Sequence, residues 1–169
     1  MIIRAAAISE FEFAHYGIYY NMPKDGERVM HSRTASYEDH MTRLPLIDTS
    51  AHLGYTLGQS APYTMHSMEK HAHTMEAVFC AAAPIVLCVA VSRGSLPPQA
   101  EDVRAVILKP GDVAVLNRGI WHDACHGLGR QTAYYYLASR GEAPAEWVEV
   151  EGEVVVETPA WADADFDKL

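Results

Sequence analysis

An all-β fold, a sandwich or barrel of short strands with one short N-terminal helix, is what this sequence predicts. Three observations carry that expectation. From about His52 onward, short β-prone runs recur at close intervals. They are separated by Pro62, Pro84, Gly94, Pro97-Pro98, Pro110-Gly111, Gly119, Gly127, Gly129, Gly141 and Gly152, residues that end strands and make turns. The 169 residues contain no internal repeat and no long linker, which predicts a single domain over 1–169 with a short acidic tail at about 158–169.

In chain order, Ser9-Glu10-Phe11-Glu12 has the form of a capping box, with Ser9 and Glu12 placed to satisfy each other's backbone N–H. Gly17 offers a left-handed stop, so the helix is expected over Ser9–Tyr16. The segment 17–43 is polar and irregular apart from the strand-like Gly17-Ile18-Tyr19-Tyr20. Strands are then expected at Gly54–Leu57, Met65–Met68, Ala77–Cys80, Ile85–Val91, Val103–Leu108, Val113–Leu116, Thr132–Leu137, Trp147–Val150 and Val154–Glu157. The tail carries Asp163, Asp165 and Asp167 and is expected at the surface.

Composition narrows the function classes. The chain is 49% apolar and 21% charged, an ordinary globular balance. Its formal charge of −9, with no Lys/Arg cluster, argues against nucleic acid and anionic membrane as partners. A small anionic substrate remains compatible, because a pocket's local charge can oppose the net charge. Cys80, Cys88 and Cys125 form no CxxC and no even framework, and the N-terminus has no signal-peptide pattern; together these predict a reduced, cytoplasmic protein. No GxGxxG, GxxxxGK[ST] or GxSxG occurs, so no nucleotide cofactor is indicated.

Chemistry concentrates in two stretches. His66 to Glu76 (HSMEKHAHTME) holds three of the nine histidines and two glutamates. If Glu69–His73 is extended, Glu69, His71 and His73 share one face. Glu76 has the opposite parity and joins them only through a bulge or turn. Imidazole and carboxylate ligands of this kind suit Zn, Mn, Fe or Ni. The second stretch, Lys109 to His122, reads as a Pro-Gly-Asp turn, a buried strand Val113–Leu116, a break at Arg118-Gly119, and a new piece starting Trp121-His122. It delivers a histidine from a distant part of the chain. His15, His31, His40 and His52 have no partner pattern, and His126 reads as a surface residue in a Gly-rich loop.

The two stretches resemble the two motifs of the cupin superfamily. His71-Ala72-His73, Glu76 and the run Ala77–Cys80 follow the first, and Pro110 to His122 follows the second. A narrower resemblance covers about residues 11 to 141: the chain is similar to the ureidoglycolate lyase family. The matching pieces are Phe13-Ala14-His15-Tyr16-Gly17, His66-Ser67-Met68-Glu69-Lys70-His71, Ala77–Val91, Arg104-Ala105-Val106, Arg118-Gly119-Ile120-Trp121-His122 and Arg140-Gly141. His73 and Glu76 depart from that family's pattern toward the metal-binding cupins.

The resemblance implies a cupin-like double-stranded β-helix, a homodimer, and a lyase that splits ureidoglycolate into glyoxylate and urea. His71 and Glu69 are then the expected acid/base pair, with His122 as ligand or second acid, Arg118 as the anchor for a substrate carboxylate, and His66 completing the motif. Two other readings stand beside it. One is a divalent-metal cupin enzyme for another small carboxylate, using His71, His73, Glu76 and His122 as ligands; the other is a non-catalytic cupin that binds a small molecule. The density of ligands in His66–Glu76 exceeds what proton transfer requires and favours one bound divalent metal.

Overall fold

In the computed structural model, residues 1–142 and 145–160 are described, and residues 161–169 of the expected acidic tail lie outside them. Among the described residues the strands are β1 (Ile2–Arg4), β2 (Ala6–Ala7), β3 (Gly17–Asn21), β4 (Val29–Arg33), β5 (Glu38–Thr42), β6 (His52–Gly58), β7 (Ser60–Ala61), β8 (Tyr63–Met68), β9 (Glu76–Cys80), β10 (Ile85–Ala90), β11 (Arg104–Leu108), β12 (Asp112–Leu116), β13 (Trp121–His122), β14 (His126–Leu128), β15 (Thr132–Ala138) and β16 (Val148–Glu157).

One sheet runs β3-β12-β9-β15-β6, and a facing sheet runs β2-β11-β10-β14-β7 with β13 also on β10. From β9 to β15 the chain passes back and forth between these two sheets, which makes the cupin-like jelly roll. A third sheet, β1-β16-β8, lies beyond the second, and β4-β5 form a separate hairpin.

The long apolar run of β10 has a direct cause. Ile85, Leu87 and Val89 enter the core between the two main sheets. Val86, Cys88 and Ala90 enter a second core against β8 and β16. Both faces are buried, so no polar residue alternates. Each fully buried Val, Leu or Ile contributes roughly 1.5–3 kcal/mol from removal of apolar surface from water. β12 shows the same split, with Ala114 and Leu116 facing inward and Val113 and Val115 packing under Val29 and Ile47.

Several expectations change. The N-terminal helix is absent: Ile8–Glu10 and Phe13–His15 are single 3-10 turns, and neither has a side-chain cap. Tyr16, Phe13 and Ile8 are pinned into the core instead, which fixes the segment without a helical ladder. Gly17 is required by close approach rather than by a helix stop, since a Cβ there would lie 1.8 Å from the Val115 carbonyl oxygen. The two expected C-terminal strands are one, β16, whose register against β8 shifts between Glu149 and Val154. Gly152, with φ +97, lies inside that irregularity.

Candidate active site

Four segments deliver the site. β8 ends at Met68, and Glu69 then forms a two-bond bridge with His122: Glu69 N–H donates to the His122 carbonyl at 2.8 Å, and His122 N–H donates to the Glu69 carbonyl at 2.9 Å. β13 is itself paired to the central strand, His122 opposite Val89. Gly119, at φ +77, makes the turn before it and donates its N–H to the His71 carbonyl at 2.8 Å. Glu76 opens β9, paired with Leu116 and Ala138. The Pro110–His122 stretch therefore builds the platform on which the His66–Glu76 stretch closes.

Glu69, His71 and His122 bring ligand-capable atoms within 4.8 Å of one another. Glu76 joins them, its Oε2 lying 3.1 Å from His71 Nε2 and 3.8 Å from His122 Nε2. Glu76 joins through the turn that its opposite parity requires, because residues 71–75 are a loop and not strand. That same loop directs His73 Nε2 to the Ser139 carbonyl at 3.0 Å, so the expected ligand His73 lines the cavity wall beside the cluster, its ring 5.9 Å from the His71 ring.

The environment sets the protonation chemistry. Glu76, hydrogen-bonded to His71, holds the imidazole above its ordinary range, against the opposing effect of burial. Burial raises the Glu69 carboxyl, and the neighbouring His122 and His71 partly offset this. His122 Nδ1 lies 3.1 Å from the Ile120 carbonyl, which can only accept, so Nδ1 carries the proton. Its buried Nε2 has no hydrogen-bond partner among the described residues. A bare imidazole nitrogen aimed at two carboxylates and a second imidazole is a donor set that fits a divalent cation.

The cluster sits in a cavity of about 1020 Å³. Arg118 does not line it; its guanidinium is held by Asp48 through bonds of 2.9 and 2.7 Å, and Asp48 in turn is held below the usual carboxylate range by Arg118. The carboxylate-anchor expectation for Arg118 thus meets a partner 70 residues away that local sequence does not reveal. His66 is exposed on β8 and also lies outside the cavity lining. Among the described residues, the Lys and Arg side chains that line it are Lys70 and Arg140. Lys70 is engaged, donating to Ser92 Oγ at 2.8 Å and lying 4.2 Å over the Trp121 ring. The Arg140 guanidinium has no hydrogen bond or ion pair among the described residues, while its backbone N–H donates to His52 Nδ1 at 3.4 Å. Arg140 lies in a matching motif, but nothing in its local sequence marks it as a site residue.

No helix among the described residues is long and apolar enough to cross a membrane. No curated protein matches the sequence. Among solved structures, the chain is similar to the dTDP-6-deoxy-D-glucose-3,5-epimerase RmlC of Legionella pneumophila Philadelphia 1, at 12% identity and TM-score 0.49, covering 69% of this chain and just under two thirds (66%) of that one. It is also similar to the WlaRB TDP-quinovose 3,4-ketoisomerase of Campylobacter jejuni, at 8% identity and TM-score 0.46, covering 72% and 88%. The Mycobacterium tuberculosis RmlC epimerase matches at 12% identity and TM-score 0.46, covering 71% and 67%. The family model for ureidoglycolate lyase matches residues 1–158, nearly the whole described chain, and the protein belongs to the ureidoglycolate lyase family.

Proposed function

We propose that the protein cleaves ureidoglycolate to glyoxylate and urea at the Glu69–His71–Glu76–His122 cluster. The observation that carries this reading is the 3.1 Å His71–Glu76 pair beside Glu69: the surroundings raise the pKa of both His71 and Glu69. Ureidoglycolate is the adduct of a urea nitrogen on an aldehyde carbon, so its cleavage needs no net oxidation. Glu69, made more basic by burial, takes the hydroxyl proton. The O–H electron pair becomes the new C=O bond, and the C–N pair departs with the urea nitrogen. His71, whose protonated form Glu76 favours, supplies the proton to that nitrogen. Arg140, whose guanidinium is without a partner among the described residues, binds the substrate carboxylate through its planar fork, the role expected of Arg118.

The unpartnered Nε2 of His122 favours a second reading of the same cluster, in which Glu69, His71 and His122 hold a divalent cation of the Zn, Mn, Fe or Ni class. When bound, such an ion would polarise a substrate oxygen and offset its developing charge. Elemental mass spectrometry of protein purified without added metal, before and after chelation, separates the readings. A stoichiometric metal whose removal abolishes turnover supports the second, whereas full turnover by metal-free protein supports the first.

The protein is further proposed to be cytoplasmic, in line with three free, buried cysteines, and to act as a homodimer. The outer face of β6, an edge strand, exposes Leu53, Tyr55 and Leu57, at 65%, 62% and 53%. Tyr135 of β15 packs against Tyr55 at 5.3 Å and extends this face. A second copy would cover both the apolar surface and the open strand edge.

A further inference from the structure

The β4–β5 hairpin has chemistry that the cluster in the cavity does not use. His31 and His40 are cross-strand partners in its ladder. Their Nδ1 atoms lie 2.6 Å apart, with ring centroids at 4.9 Å and planes at 75°. Neither histidine lines the cavity. Two bare ring nitrogens cannot rest at that separation, since their lone pairs would repel; something positive must lie between them. His31 Nε2 is 3.2 Å from the Asp25 carbonyl, an acceptor, so this nitrogen carries the proton of a neutral His31 ring and leaves Nδ1 bare. His40 must then donate across the gap. Its other nitrogen lies 3.6 Å from Glu38 Oε1. One shared proton therefore bridges two convergent lone pairs next to a carboxylate.

We propose that this pair is a second metal site, a cross-strand bis-imidazole that binds one Zn²⁺, Ni²⁺ or Cu²⁺ in place of the shared proton, with water completing the coordination. Imidazole is a favourable ligand for all three ions. The geometry needs little adjustment. With metal–nitrogen bonds of about 2.0–2.1 Å, two tetrahedral ligands sit about 3.3 Å apart and two at a right angle about 2.9 Å apart. The Nδ1 atoms need to part by less than about 1 Å, within the swing of a side chain.

The backbone holds the pair ready. The ladder pairs all five residues of each strand from Val29↔Thr42 to Arg33↔Glu38. Val29 is fully buried against the outer face of the main sheet, which anchors one end. The Thr34 N–H to Tyr37 carbonyl bond at 2.9 Å closes the other. Metal binding thus costs little backbone ordering. The sequence hides the site because its histidines are nine residues apart on a polar hairpin and meet only through strand register.

The test uses tag-free, full-length, metal-free protein titrated with Zn²⁺ by calorimetry. The comparison is between wild type, His31→Ala, His40→Ala and the double variant. Both side chains are at or near the surface, and circular dichroism checks that the variants fold. The wild type is expected to bind one equivalent more than His31→Ala, and His40→Ala is expected to lose that same equivalent. The double variant loses no more than either single, because the two rings form one site. Loss of a mere outer-shell partner weakens metal binding about 10–100-fold, so losing either ring should weaken it at least as much. ¹⁵N shifts of the imidazole nitrogens assign the bound ion to Nδ1 of both rings and separate it from any ion at His71 or His122. Identical isotherms for wild type and either single variant, losses that add in the double variant, or unmoved Nδ1 shifts of His31 and His40 would overturn the proposal.

Discussion

Replacing Glu76 with Gln tests the roles in the cluster most sharply, because the change preserves shape and removes one charge. The Glu76 carboxylate sits 3.1 Å from His71 Nε2 and raises the pKa of that imidazole. A hydrogen bond to a charged group contributes about 1.5–3 kcal/mol and a neutral one about 0.5–1.5, so the substitution forfeits about 1–2 kcal/mol. At 1.36 kcal/mol per decade, kcat should fall about 5–30-fold. The direction of the pH effect follows from the sign of the shift. Activity that requires protonated His71 is lost as pH rises through its raised pKa, and without Glu76 that alkaline limb moves to lower pH. His73→Ala is the control: its ring bonds the Ser139 carbonyl outside the cluster, so turnover should stay within about twofold, the range of an ordinary surface change. Glyoxylate release, followed by a coupled dehydrogenase assay from pH 5 to 9, reads both variants. A Glu76→Gln profile superimposable on wild type, or a larger loss in His73→Ala, would refute the reasoning.

Other outcomes follow from the same structure. Arg140→Gln should raise KM about 10–100-fold with a smaller effect on kcat, as expected for one lost charge-assisted anchor of about 1.5–3 kcal/mol, whereas Arg118→Gln should leave KM near wild type; steady-state kinetics of both variants decide it. Tyr55→Glu on the exposed face of β6 should convert a dimer to monomer in light scattering, and an unchanged mass would count against that interface. Burial raises the Asp123 carboxyl to about 7, with opposing bonds from Tyr63 and the Cys88 N–H. Its contribution to stability is complete below about pH 4 and is lost as pH rises toward 7, a change on the order of 4 kcal/mol. Urea unfolding at pH 5 and pH 8 spans most of that range and should show a loss of about 3 kcal/mol in wild type and none in Asp123→Asn.

Where burial dictates the residue pattern, the sequence was readable. β9, β10, β11, β12 and β15 were all expected, because strands buried on one or both faces must be apolar runs ended by turns. The β4–β5 hairpin was not, since of its residues only Val29 is fully buried and no alternation marks the rest. Likewise Ser9–Glu12 carries the residues of a capping box, yet the chain there makes only 3-10 turns, because tertiary packing of Phe13 and Tyr16 outweighs a one-turn helical preference. In the site, the gathering of Glu69, His71 and His122 follows the order of the two motifs. How near His73 and Glu76 each come to that cluster does not, because parity arguments hold only for extended chain and residues 71–75 form a loop. Arg118 shows the remaining limit: its Asp48 partner comes from a distant loop, and no local pattern announces it.

The central claim is the reaction itself. Purified protein supplied with ureidoglycolate should release glyoxylate and urea in equal amounts with no ammonia, and His71→Ala should lose most of that activity while remaining folded. Release of ammonia in place of urea, or no turnover of ureidoglycolate by protein tested both metal-free and with each of Zn, Mn, Fe and Ni restored, would contradict the account.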